Sequence, residues 1–426
     1  MNVNAKKLSY CVVAAAWLAV FCLFGYRATF AVFSGPMAQT MNWSGAEVSL
    51  GYSLMMTLYA TTAFFSGMIL DRYGTKPVYF IAAIFCMLGF FLTARVTSLM
   101  AYYAAYAICA GIGTGMLWVS STVSVRKWFV GGKYATMWGI AFAGGPMAQV
   151  LLSLGVKPML VQNAAQWRDA MTYLSWIFLA LLLLASYLAK KNPDQYGLQP
   201  FGAPKVVESA AKAPEKPEFI WKISQAFKTY PLWAAIICFM ACVCGEFLIW
   251  TQIVRYWNKD LGMSLDTATN LYVIIGVAGI FTMPLLGMVS DKLVHIFQDE
   301  IKARKTMLVV GPLIGALACV FLLLMTGKTY FLGVFVCILF AIYWAIVPGG
   351  VVGYCGAIYG QKSLGKIWGL ATWIIMGIGP ALGSFMGGYL ADTTGSFTAS
   401  IYFAMGSFVV AICAALSMPR SVKLPE

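Results

Sequence analysis

Arg27 and Glu246 each interrupt a long apolar run, one with a guanidinium and the other with a carboxylate. A guanidinium suits bidentate recognition of oxyanions, and an intramembrane carboxylate can hold a cationic group or relay a proton. A charge in hydrocarbon costs several kcal/mol, so residues of this kind are functional candidates. Arg27 lies nine residues before Pro36, roughly 13 Å below the outer end of its run at 1.5 Å per residue. A long arginine near an interface can snorkel to water. At this depth the alternative is a guanidinium facing a water-filled cavity. Glu246 is the one acidic residue well inside an apolar run; the others fall in loops or at run ends.

The elements that carry these two groups follow from composition. Hydrophobic residues make up 61% of the 426 residues and charged residues 10%, with a mean hydropathy of +0.79. A soluble domain carries about 25% charged residues. Apolar runs of about 20 residues read as membrane-spanning helices. Twelve are expected, near residues 9–35, 45–69, 77–95, 99–125, 133–155, 168–189, 229–256, 267–290, 305–327, 330–358, 366–391 and 397–418. The 41 glycines suit close helix packing in a membrane.

The chain repeats itself. GMILDRYGTK at 67–76 ends one run and opens the next, and GMVSDK at 287–292 is a looser copy. Gly67 to Gly287, Asp71 to Asp291, Gly25 to Gly245 and Ser44 to Ser264 all share one offset, which points to duplication. In that register Gly25-Tyr26-Arg27 matches Gly245-Glu246-Phe247, so the two charges occupy neighbouring positions on equivalent helices. They can pair as a purely structural device. Alternatively, Glu246 takes a proton or an ammonium group while Arg27 takes an acidic group of a substrate.

The net charge of +14 would suggest nucleic acid in a soluble protein. Here most of the 29 basic residues fall on one side of the expected membrane, from Lys6 and Lys7 through Arg72, Lys76, Arg126, Lys127 and the central lysines to Lys423. The positive-inside rule puts that side, with both termini, in the cytoplasm, and a nucleic-acid partner is not needed. The 11 cysteines all lie in apolar runs, as small buried hydrophobes do. Cys238, Cys242 and Cys244 have no histidine nearby, so no metal is expected. His295 is the sole histidine, expected in a solvated loop. The first run is too long for a cleavable leader. Asn42-Trp43-Ser44 matches a glycosylation sequon, but Ser44-Gly45-Ala46-Glu47 has capping-box spacing and reads as a helix start.

The stretch 191–228 is polar, with Pro and Lys and no sustained apolar period, and reads as a cytoplasmic linker. It separates an N-terminal six-helix bundle, 1–190, from a C-terminal one, 229–426. Gly111, Gly113 and Gly115 read as helix-packing positions, since no strand precedes them as a phosphate loop requires. Gly144-Gly145-Pro146 reads as a close crossing with a mild kink. Tyr26, Trp118, Gln149, Trp250, Gln252, Tyr272, Tyr343 and Trp373 are the polar or aromatic candidates to line a cavity with Arg27 and Glu246. Such residues also serve as packing or lipid-facing groups.

The stretch 67–76 matches the signature Gly-x-x-x-Asp-Arg-x-Gly-x-Lys/Arg at Gly67, Asp71, Arg72, Gly74 and Lys76. With the two-half layout, the full chain therefore resembles the major facilitator superfamily. YRATFAVFSGPM at 26–37, NWSGAEVSLGYSL at 42–54 and GSFMGGYLADTTGSF at 383–397 look like its bacterial monocarboxylate-porter and oxalate/formate-antiporter branch. Two places depart from that pattern. Ala107 stands where many members have an arginine, which weakens a drug/proton antiporter reading. Met283 stands where carboxylate porters of this branch carry an arginine, and a lysine within the eleventh run is missing, which argues against oxalate.

The resemblance implies an all-α fold of twelve transmembrane helices in two pseudo-symmetric six-helix bundles. It further implies a monomeric secondary transporter of the cytoplasmic (inner) membrane, in contact with lipid, that binds a small molecule and uses no cofactor. A monocarboxylate or sulfonate anchored by Arg27 is the leading substrate, with Glu246 for proton coupling. A zwitterion or organic cation held by Glu246 and an aromatic cage is the alternative. Asp71, Arg72, Lys76 and Asp291 are expected to form a conformational latch. No nucleophile–base pair, metal cluster or phosphate loop points to an enzyme.

Overall fold

In hydrocarbon every backbone polar group must be satisfied within the chain, which leaves a long apolar run little choice but a helix. The computed structural model describes residues 3–43, 45–202 and 219–422 and is nearly all-helical. Among the described residues, twelve helical spans are long and apolar enough to cross a membrane. They are α1 (Lys6–Ser34), α2 (Leu50–Tyr73), α3 (Thr75–Thr93), α4 (Leu99–Trp128), α5 (Gly131–Leu160) and α6 (Ala164–Leu188). The second set is α7 (Tyr230–Asp260), α8 (Asn270–Phe297), α9 (Glu300–Leu323), α10 (Tyr330–Tyr359), α11 (Leu364–Ala391) and α12 (Thr398–Ser417).

Several helices outrun their apolar stretches, because apolarity marks the part in lipid and capping marks the end. The helix bearing α1 runs from Val3 to Met41. Ser98 caps α4 by accepting from Ala101 N, Ser264 caps the helix of α8 by accepting from Thr267 N, and Asp299 caps α9 by accepting from Lys302 N. Ser44, the expected cap of α2, lies outside the described residues. The chain turns at Ala143, just before Gly144-Gly145-Pro146, so α5 carries its break where expected. Within α4, after a first α-helical turn, Tyr103–Ala110 is π-helical.

Packing repeats as the sequence does. In the first half α1 contacts α4, α5 and α6, α3 contacts α4 and α6, and α2 contacts α4. The second half repeats these pairings, with α7 on α11 and α12, α9 on α10 and α12, and α8 on α10. These are two six-helix bundles of matching topology. They meet chiefly along α2–α11 and α5–α8.

The linker ends are ordered. Val130 N donates to Phe201 O and Phe201 N to Trp128 O, both at 2.8 Å, forming a parallel bridge between Phe129 and Phe201. On the other half, Trp221 packs edge-on against Tyr359 at 5.2 Å. The linker therefore fastens to both bundles at the end carrying the Asp71 hairpin, called here the basic end.

Candidate functional site

Two places between the bundles gather chemistry, one near mid-span and one at the basic end.

Near mid-span, α1 presents Arg27. Its guanidinium carbon lies 4.6 Å from the centre of the Tyr59 ring of α2 and 5.4 Å from that of Phe24, one turn earlier on α1. Its Nε and Nη2 are buried without a hydrogen-bond partner. Glu246 of α7, half-buried, lies within electrostatic reach of Arg27. The two form no direct salt bridge among the described ion pairs. Each keeps part of its surface free although it sits well inside its span.

An aromatic bridge joins the bundles beside Arg27. Trp344 of α10 meets Phe24 at 5.6 Å, Phe142 of α5 at 5.5 Å and Trp250 of α7 at 5.4 Å, all steeply inclined. Trp118 of α4 joins through Phe24 and Phe142. Trp250 follows Glu246 by one turn on α7, which brings aromatic surface and carboxylate to one side of that helix.

The other expected cavity residues divide. Tyr272 lies near Glu246 and beside the Gln149 side chain. Tyr26 is fully buried within the first bundle, stacked on Phe90 at 3.8 Å, and its hydroxyl donates to Cys86 O at 3.3 Å. Tyr343 is likewise enclosed in the second bundle, donating to Cys242 O at 2.8 Å. Gln252 bonds along its own helix to Thr251 and Arg255. Trp373 is 47% exposed and enters none of the described ring contacts. Phe24, Tyr59, Phe142 and Trp344 were not singled out by sequence, where nothing separates them from packing aromatics. Only Arg27 could have pointed to Phe24, three residues away on the same face.

At the basic end, two aspartates cap helices of the opposite bundle. Asp71 accepts from Lys366 N of α11 at 2.8 Å and pairs with Lys127 Nζ at 2.8 Å. Asp291 accepts from Ala135 N and Thr136 N of α5 at 3.0 and 2.7 Å and pairs with Arg304 Nη2 at 2.8 Å. A carboxylate at a helix N-terminus meets free N–H groups and the positive end of the helix dipole. Arg126 of α4 forks onto both oxygens of Glu300 of α9, and the Tyr134 ring lies near both Arg126 and Arg304. Arg72 and Lys76 are exposed and make no described ion pair. His295 is exposed at the end of α8.

At Gly67 and Gly287 the two bundles meet backbone to backbone. Gly67 abuts the Gly365 carbonyl and Gly287 the Ala135 carbonyl, so closely that neither site has room for a Cβ.

The sequence profile of the Major Facilitator Superfamily matches residues 16–377. The chain belongs to the Major Facilitator Superfamily. It is a multi-pass membrane protein of that transporter family. The oxalate:formate antiporter of Oxalobacter formigenes is 23% identical over 93% of this chain and 90% of its own length. Monocarboxylate transporter 4 of Gallus gallus is 25% identical over 57% of this chain and 50% of that protein, so the chain spans about half of that relative's length. The fold is that of FucP, a superfamily transporter whose structure was solved in the outward conformation. FucP aligns over 96% of this chain and 99% of its own with a TM-score of 0.69 and 15% identity.

Proposed function

We propose that this superfamily member moves a small organic anion, of the monocarboxylate or sulfonate kind, across the cytoplasmic membrane by alternating access. The observation that carries the reading is Arg27. It is a guanidinium well inside the span, held over two aromatic rings with unsatisfied donors and, among the described residues, no carboxylate in direct contact. A substrate anion supplies what those donors lack. Glu246, across the interface, is the group we assign to proton coupling. Full-length similarity to a protein named as an oxalate:formate antiporter supports the carboxylate class.

In this reading both termini and the linker are cytoplasmic, following the bias of basic residues. The Asp71 and Asp291 caps form the cytoplasmic latch, and breaking them lets one bundle rock against the other. The transporter acts as a monomer without a cofactor.

Uptake of lactate by proteoliposomes tests this. Saturable uptake should be lost in Arg27→Ala and kept in Phe247→Ala. Acceleration by an inward acid gradient should be lost in Glu246→Gln. A second reading is favoured by the aromatic surface at Trp250 and Trp344 near Glu246, which suits a cationic headgroup. Uptake of glycine betaine that depends on Glu246, with lactate never moved, would establish it instead.

A further inference from the structure

Several buried polar side chains lack a hydrogen-bond partner among the described residues, Tyr106 and Trp118 included, but Tyr59 is the one set against the Arg27 guanidinium. Its side chain is fully enclosed, yet among the described residues its hydroxyl finds no carbonyl or carboxylate partner. Buried hydroxyls are normally satisfied, and Tyr26 and Tyr343 follow that rule through backbone carbonyls. Tyr59 differs in what it faces. Its ring carries the Arg27 guanidinium at 4.6 Å, and its hydroxyl oxygen lies within hydrogen-bonding and electrostatic reach of the same group, which leaves the phenolic proton free to donate elsewhere. The two unsatisfied atoms of Arg27 are Nε and Nη2, the pair that grips a carboxylate side-on. Among the described residues, Nε–H, Nη2–H and the phenolic O–H thus stand together with no carbonyl or carboxylate acceptor. The backbone beneath them is fixed, because Gly115 of α4 sits against the Tyr59 carbonyl with no room for a Cβ.

We infer that Tyr59 and Arg27 form one anion clamp, in which the Tyr59 hydroxyl donates a third hydrogen bond to the oxyanion and the Tyr59 ring holds the guanidinium in register. The ligand class is a compact oxyanion with at least three accessible lone pairs, such as a carboxylate, a 2-oxo acid or a sulfonate. The inference rests on the anion reading above and adds to it a residue from a second helix. The clamp belongs wholly to the first bundle, α1 and α2. An anion therefore docks on one half before the other closes over it.

Proteoliposome uptake of pyruvate, formate and methanesulfonate is the test, with pyruvate-dependent thermal stabilisation in detergent as a second readout. Tyr59→Phe keeps the ring and removes one donor. It should raise KM for a transported anion about tenfold, the scale of a hydrogen bond to a charged group, with kcat within about twofold. Tyr59→Leu removes the ring too and should raise KM further, whereas Tyr59→Phe should restore most of what Leu loses. Unchanged KM and unchanged stabilisation in Tyr59→Phe, with Arg27→Lys still impaired, overturns the clamp and leaves the anion reading standing. If the unaltered transporter moves none of the three anions, both fall together.

Discussion

The two aspartates at the basic end occupy matching positions in the two halves of the sequence, and they hold the bundles together differently. Asp71 accepts one backbone N–H of α11 and takes a lysine as partner, with 14% of its side chain exposed. Asp291 accepts two backbone N–H groups of α5 and takes an arginine, with 5% exposed. Arg304 reaches further, to Ser290 Oγ and Gly131 O, both at 2.6 Å. The Arg126–Glu300 fork adds a second ion pair beside the Asp291 cap. What the two sites share is a carboxylate on a helix N-terminus. What differs is the cation, a flexible point charge on one side and a planar fork with several fixed partners on the other.

That contrast ranks the substitutions that would break it. Asp291→Asn should be the most damaging, because it leaves the buried Arg304 with only the longer 3.5 Å contact to Glu300, at up to about 3–5 kcal/mol for a broken buried pair. The midpoint of thermal unfolding in detergent should drop accordingly. Asp71→Asn removes a charge-assisted bond at a more open site and should cost about 1.5–3 kcal/mol by the same measurement. A larger loss for Asp71→Asn than for Asp291→Asn would reverse the ranking and make the lysine lock the principal one. Arg72→Ala and Lys76→Ala, although both belong to the matched signature, should each stay within about 0.5 kcal/mol as exposed positions.

Much of the architecture was legible because lipid imposes a simple rule on sequence. The twelve runs, the duplicated register and the two charges inside runs were all visible as residues. The locks were only half legible. Asp71 and Asp291 stood out by their motif, but Arg126, Lys127 and Arg304 read merely as members of the basic side. Hydropathy places such residues near an interface and says nothing of a facing bundle that buries them. Glu300 was hidden for the same reason, as an acidic residue at a run end. In the mid-span site the failure ran the other way. Tyr26 and Tyr343 look like ligand residues in sequence, yet each hydroxyl is engaged by a carbonyl of its own bundle. Only tertiary contact tells a satisfied phenol from an open one.

The glycine contacts at Gly67 and Gly287 give this arrangement an unusual sensitivity. Backbone touches backbone across the two bundles there, so even one added methyl works as a wedge. If the bundles rock as proposed, a wedge at that seam would penalise the arrangement closed at the basic end and shift the balance of states by its own steric cost. On that proposal a single carbon atom, far from Arg27 and Glu246, sets how long the basic end stays closed.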